Sequence, residues 1–262
     1  RLISKDNILE QASALSIAKY NLKTEWNKSI INESQILSKT LITLEEGCVD
    51  LRKNSFVTID GKTAKDFDDA VFSEKNKSGE LVLYVAIADV GRFVKPQSAM
   101  DDEAIERGTS VYFTQKVIPM LPEIISNDLC SLRPNEDRYC LVCKTNISKE
   151  GDPQEVEFFE AIINSKARLT YEKVADQIKT KDFSEPYTQS LKNLVEIYKI
   201  LKKAKKTRGA LELDIPFYVP QFNGKRIEKF INTSRNEAHL LIEECMLLAN
   251  ICAAKTLLKA KI

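Results

Sequence analysis

The hydrophobic pattern of the chain runs from helical spacing to strands and back to helices. Residues 1 to about 45 read as short helical pieces, with Ile8, Leu9, Ala12 and Leu15 on one stripe and Trp26 and Ile30 further on. From Phe56 the pattern is that of strands: Phe56–Ile59, then Ala70–Phe72, then Leu81–Ala88, an apolar run long enough for a central strand. Asp101–Arg107 is helix-like and closed by Gly108, and Tyr139–Ile147 and Val156–Ile163 are further strand candidates. Leu191, Leu194, Val195, Tyr198 and Leu201 recur at helical spacing in a helix that ends at Gly209. The last element carries Ala238, Leu241, Ile242, Cys245, Ala249 and Cys252 on one stripe, as a core-facing helix does. These elements predict an α+β fold, a mixed β-sheet surrounded by helices.

Composition narrows the class without naming a function. An apolar share of 43% and a charged share of 29% are those of a soluble globular protein, and 262 residues can bury a full core. Net charge is +1, so any nucleic acid has to be held by a local field. No segment reaches the ~20 apolar residues that span a bilayer, and no membrane partner is expected. The six cysteines are scattered, and Cys140 and Cys143 form a single CxxC without a second pair. With one histidine, His239, in the chain, a structural zinc is disfavoured and a reduced, cytosolic protein is expected. The opening Arg-Leu-Ile-Ser-Lys-Asp carries neither a signal-peptide pattern nor a start Met, which reads as a piece of a longer polypeptide. Lys199, Lys202, Lys203, Lys205, Lys206 and Arg208 form a basic run near a helix end, read as dipole pairing and solubility in preference to an RNA track.

The chemistry concentrates between two predicted strands. Asp60, Asp66, Asp68 and Asp69 fall within ten residues. Like charges a few ångströms apart repel when partly desolvated, and a cation among them would explain the cluster. Oxygen-only ligands select hard ions, so Mg²⁺ or Mn²⁺ is favoured over zinc. A solvated turn is the alternative, because Asp is common in turns. An EF-hand loop fits poorly, since the third ligand and the required Gly are absent from their spacing after Asp66-x-Asp68.

The segment Thr58-Ile-Asp-Gly, followed by Lys65-Asp-Phe-Asp-Asp-Ala70, resembles the metal-binding signature of the bacterial ribonuclease II/R (RNB) family. Leu83–Val90, Arg107–Phe113, Val117–Glu123, Leu129–Leu132, Ala167–Tyr171 and Leu241–Met246 follow in that family's order, and the wording is nearer its R branch than its II branch. The resemblance implies an RNB-type catalytic domain over 46–262, incomplete at its C-terminus, preceded by a helical segment over 1–45. It implies a bacterial, cytoplasmic 3′→5′ exoribonuclease that hydrolyses RNA processively to nucleoside 5′-monophosphates by Mg²⁺-assisted attack of water, Mn²⁺ being an alternative ion. Its partner would be the single-stranded 3′ end of RNA; the oligomeric state is left open.

Residue by residue, the resemblance implies that Asp60, Asp66, Asp68 and Asp69 hold the metal, with Asp66 and Asp68 at the chemistry and Asp68 the most critical. It implies that Tyr112 stacks on the terminal nucleotide, where the residue alone would pass for a half-buried strand tyrosine. It also implies that Tyr171 and Glu243 hydrogen-bond the ribose and so distinguish RNA from DNA; Glu244 is a weaker candidate. Glu243, one helical turn from His239 and two from Asn250, otherwise reads as part of a solvated polar face.

Three positions depart from the family pattern: Thr114 stands where Pro is usual, Leu213 where a base-stacking Phe is usual, and Asp128 where Gly is usual. For the last, the sequence offers no physical account. The family's arginine-rich segment, expected beyond Ile262 and tied to transition-state stabilisation, does not occur here, nor do the flanking β-barrel RNA-binding domains. The chain alone is therefore expected to cleave weakly or not at all, and its last helix to lack a packing partner. Two other classes compete with the exonuclease. One is an RNA-binding fragment of the same fold, catalytically incomplete; the other is a metal-dependent phosphatase with an unrelated acidic loop.

Overall fold

The computed structural model describes residues 8–262 apart from 115, 184, 212–214 and 225. In chain order its helices are α1 (Ile8–Lys19), α2 (Lys28–Leu37), α3 (Ala99–Arg107), α4 (Tyr171–Thr180), α5 (Thr188–Thr207) and α6 (Glu237–Ala260). The strands are β1 (Val49–Asp50), β2 (Val57–Asp60), β3 (Asp69–Lys75), β4 (Leu81–Ala88), β5 (Val111–Tyr112) and β6 (Val117–Ile118). They continue with β7 (Asp137–Ile147), β8 (Pro153–Asn164), β9 (Ala167–Thr170), β10 (Phe217–Asn223) and β11 (Arg226–Thr233). The chain divides into two compact units, one from 1–40, 91–126 and 213–234, the other from 41–90, 127–212 and 235–262.

The second unit is built on a seven-stranded mixed sheet in the order β1-β8-β7-β4-β3-β2-β9, parallel at its two edge pairs and antiparallel between. The sheet is covered by helices on the face that carries Val57, Ile59, Val71, Leu83, Val85 and Cys143. Those residues alternate along their strands, as the two-residue period of a strand requires. Leu191, Leu194 and Ile197 of α5 and Leu241, Cys245 and Cys252 of α6 fill the core above them. The expected lack of a partner for α6 is corrected here. Leu241, Cys245 and Ala249 are buried against α4, α5 and the sheet, because the stripe that packs is the i, i+3, i+4 set itself.

Alternation also settles the CxxC. Cys140 and Cys143 lie three positions apart on β7 and therefore point to opposite faces of the sheet. Cys143 faces Cys252 in the core between sheet and α6, where the hydrogen bond it donates to Cys252, together with burial, pushes its thiol up. All six cysteines are free thiols.

In the first unit, α2 is anchored by Ile30, fully buried, with the Asn27 side chain accepting from its backbone N–H at 3.0 Å. Arg107 closes α3 by donating to the carbonyls of Lys23, Glu25 and Pro119, and its guanidinium lies 3.7 Å from the Trp26 ring centroid. The apolar stripe on α1 is not a core face: Leu15 is 72% exposed and Ala12 is exposed. Its apolar residues are distributed around the helix, so no single face gains by burial. The β10–β11 hairpin was not expected, because neither strand alternates cleanly and Pro220 interrupts the first.

Candidate active site

One end of the sheet gathers the acidic residues. Asp60 is the last residue of β2 and Asp69 the first of β3, so the loop carrying Asp66 and Asp68 is the turn between two paired strands. On the other side of β2 the parallel partner β9 places Thr170 opposite Asp60, and Tyr171 follows as the first residue of α4. A strand end thus brings the acids beside Tyr171, although the two lie more than a hundred residues apart in sequence.

Two clamps fix the acidic loop. Arg168, in register with Thr58, donates through Nη2 to the carbonyls of Gly61 and Lys62, both at 2.7 Å. Ser131, fully buried, accepts from the Phe67 backbone N–H at 3.0 Å and donates to the Lys65 carbonyl at 2.9 Å. The Leu132 N–H adds a bond to the Phe67 carbonyl at 2.8 Å, and Ala88 binds the Asp68 carbonyl at 2.8 Å. Ser131 is itself held by Arg138, whose Nε donates to the carbonyls of Ser131 and Asp128, both at 3.0 Å. Asp128 now has an account: its carboxylate accepts from Arg138 and Arg133 at 3.2 and 3.0 Å. Glu136 also pairs with Arg138, so Asp128 adds a second carboxylate to that buried guanidinium where a glycine would add none.

The carboxylates feel one another. Burial, reinforced by the charge of Asp69, pushes Asp60 up to about 7, against the pull of Arg168. Burial and Asp68 raise Asp69 to about 6, and burial with Asp66 raises Asp68. Asp60 Oδ2 is buried and has no hydrogen-bond partner. Among the described residues, no three His, Cys, Asp or Glu side chains converge as tightly as a coordination shell. The donor set nevertheless suits a hard divalent cation: four carboxylates, one buried oxygen without a partner, and raised proton affinities that a cation would relieve.

Tyr171 lies in the same field. Burial and the charges of Asp60 and Asp69 raise its phenol to about 12. His239, in the first turn of α6, stacks on it with ring centroids 3.8 Å apart and planes 17° apart. Asn236, the N-cap of α6, accepts from the N–H groups of Ala238 and His239 and donates to the Tyr171 carbonyl at 3.3 Å. Glu243 is partly exposed and ion-paired: Arg235 donates to it at 2.8 Å and Lys205 lies 3.8 Å away. Lys205 also pairs with the buried Glu244 at 3.0 Å, so this member of the basic run is committed to an ion-pair network.

Tyr112 belongs to the first unit, on the β5–β6 ribbon opposite Val117, and is 68% exposed. It is therefore not a half-buried strand residue. Leu213 lies outside the described residues. Reading the sequence missed Arg168, Ser131, Arg235, Lys205 and the Asn236–His239 pair. The last carried a signal, the cap-to-third-residue spacing of a capping box.

The fold and this acidic strand end define a class: the RNB domain model matches residues 48–262, and the chain belongs to that family. Within it, the chain is similar to ribonuclease R. It is 46% identical to ribonuclease R of Vibrio parahaemolyticus over 94% of this chain and 50% identical to that of Escherichia coli over 82%. It spans 30% and 27% of the length of those two relatives. The structure of Mycoplasma genitalium RNase R in complex with ribose-methylated single-stranded RNA superposes with a TM-score of 0.88 at 28% identity, covering 97% of this chain and 40% of that one. Yeast Ssd1, a pseudonuclease, shares the fold at a TM-score of 0.58 and 17% identity.

Proposed function

We propose that this chain is part of the catalytic domain of a bacterial, cytoplasmic 3′→5′ exoribonuclease that acts on single-stranded RNA and releases nucleoside 5′-monophosphates processively. In this reading residues 46–262 belong to the catalytic domain and 1–45 lead into it. The observation that carries the reading is the strand end where four carboxylates share one field beside Tyr171, with Asp60 Oδ2 buried and unpartnered.

Asp60, Asp66, Asp68 and Asp69 would hold Mg²⁺ or Mn²⁺, which when bound neutralises phosphate charge and lowers the pKa of a bound water. Asp66 and Asp68 are the residues at the reacting phosphate. Arg168 and Ser131 keep the loop in one shape, so the carboxylates are aimed before substrate arrives. Tyr171 and Glu243 offer a phenol and a carboxylate to the ribose, and a site built around a hydroxyl rejects the sugar that lacks it. Tyr112, exposed, presents a ring on which any base can stack. The RNA-bound state of the Mycoplasma genitalium relative supports an RNA substrate.

The test is a nuclease assay on the full-length protein with 5′-labelled single-stranded RNA and the matching DNA, with and without Mg²⁺. A Mg²⁺-dependent ladder shrinking from the 3′ end, with DNA spared and Asp68→Asn inert, is expected. RNA bound but never shortened would favour the catalytically incomplete binding module.

A further inference from the structure

The sole histidine of the chain stacks on Tyr171, a neighbour of the acidic strand end, where a nuclease could use an imidazole as a base or a ligand. Its surroundings assign it another task. One face of the ring is covered by Tyr171, 3.8 Å away and 17° from parallel. Its Nδ1 is engaged by Asn236, 2.8 Å from Oδ1 and 3.2 Å from the backbone nitrogen. Asn236 also holds the main chain of Tyr171 through its carbonyl. The tyrosine is thus gripped twice, at its backbone by the cap of α6 and at its ring by the third residue of that helix. Beyond this grip, the charges of Asp60 and Asp69 act on the phenol.

We propose that His239 is a positioning residue that fixes the plane of Tyr171 by ring stacking and thereby sets how strongly the site prefers ribose over deoxyribose. The proposal rests on Tyr171 reading the sugar, and it assigns His239 no contact with substrate. A phenol that must meet a 2′-hydroxyl needs its ring held within roughly 10–20°. Two torsions of a partly exposed tyrosine do not supply that by themselves, and a flat neighbour does. A stacked aromatic pair contributes enough to change a population or an affinity about twofold to tenfold.

His239 has two separable roles, the stack and the cap, and substitutions divide them. His239→Phe keeps a flat face and loses the cap bond. His239→Gln keeps a capping-box side chain at this position and loses the ring. His239→Ala loses both. The measurement is the affinity of the full-length protein for a labelled single-stranded RNA and its DNA counterpart, in an Asp68→Asn background so that neither is consumed. The ratio of the two affinities is followed beside the melting temperature.

The expected result is that Gln and Ala lower the RNA-over-DNA ratio by about threefold to tenfold while Phe retains it, even though Phe melts lower than Gln. A ratio retained by Gln and lost with Phe would overturn the proposal, since His239 would then act through the helix cap. A ratio unchanged in all three overturns it as well. Tyr171→Ala runs alongside: if that variant keeps the ratio, it is the reading of Tyr171 that has failed.

Discussion

Replacing Ser131 by Ala removes one hydroxyl from a fully buried position and should loosen the acidic loop from a distance. The hydroxyl serves two backbone groups, accepting from Phe67 N–H at 3.0 Å and donating to the Lys65 carbonyl at 2.9 Å. Phe67 is itself buried, so its N–H would find no water in exchange. A buried donor left unsatisfied costs about 1–3 kcal/mol, and the loosened carbonyl adds to that, for a total of about 2–3 kcal/mol. In a chain of this size each kcal/mol lowers the melting temperature by about 2–4 °C, so a fall of about 4–12 °C is expected. The loop lies between Asp60 and Asp69, so the stabilisation gained on adding Mg²⁺ should shrink as well. Thermal denaturation in EDTA and across a Mg²⁺ titration measures both. A melting temperature within about 1 °C of the parent, with an unchanged Mg²⁺ titration, would refute the clamp, because a bond pair of this burial cannot be lost at so little cost.

Other outcomes follow from the same geometry. In EDTA, Asp69 keeps its proton up to about pH 6 when folded but only to about pH 4 when unfolded, so it destabilises the fold progressively across that window and fully above it. At about 1.4 kcal/mol per pH unit, Asp69→Asn should be more stable than the parent by about 2–3 kcal/mol above pH 6 and equal to it near pH 4, in urea unfolding; a pH-independent difference would contradict this. Lys205→Met strands the buried Glu244 and should cost about 3 kcal/mol, most of it recovered in Lys205→Met with Glu244→Leu, by a double-mutant cycle in urea; failure of the second change to recover stability would show that the pair is not what Lys205 supports. Tyr112→Leu should weaken RNA and DNA binding alike by about 1–3 kcal/mol with the salt slope unchanged, since stacking releases no counterions; a flatter slope in anisotropy titrations would point to a phosphate contact.

Much of this was legible in residues whose signal is local. The apolar run Leu81–Ala88 is a strand with the predicted ends, and the α6 stripe is buried as spaced. The acidic turn was visible because four carboxylates between two apolar runs have few structural uses. What escaped was set by pairing across long separations. Strand β9 is four residues long and includes Arg168 and Thr170, so no apolar pattern in Ala167–Thr170 predicts that it will lie parallel to β2, and Tyr171 was assigned to the site through the family resemblance alone. The roles of Ser131 and Arg168 are equally non-local, since each acts through backbone carbonyls, which every residue possesses. Lys205 and Glu243 looked like solvated charges because a basic run and a polar helix face are usually that; only the packing of α5 against α6 joins them.

The parallel seam between β2 and β9 also sets the order in which the site can come into being. The acidic hairpin needs only neighbouring chain, with Val57 opposite Val71 and the loop between them. The seam needs Asp60 to find Thr170, and the entropy of closing so long a loop must be met before any contact rewards it. The acids are therefore gathered early, while the Arg168 clamp and the residue proposed to read the sugar arrive late. A nascent chain stalled before residue 167 would carry the acidic hairpin and the Ser131 clamp but neither Arg168 nor Tyr171, so the final aim of the acids and the choice of substrate would be the last properties the folding polypeptide acquires.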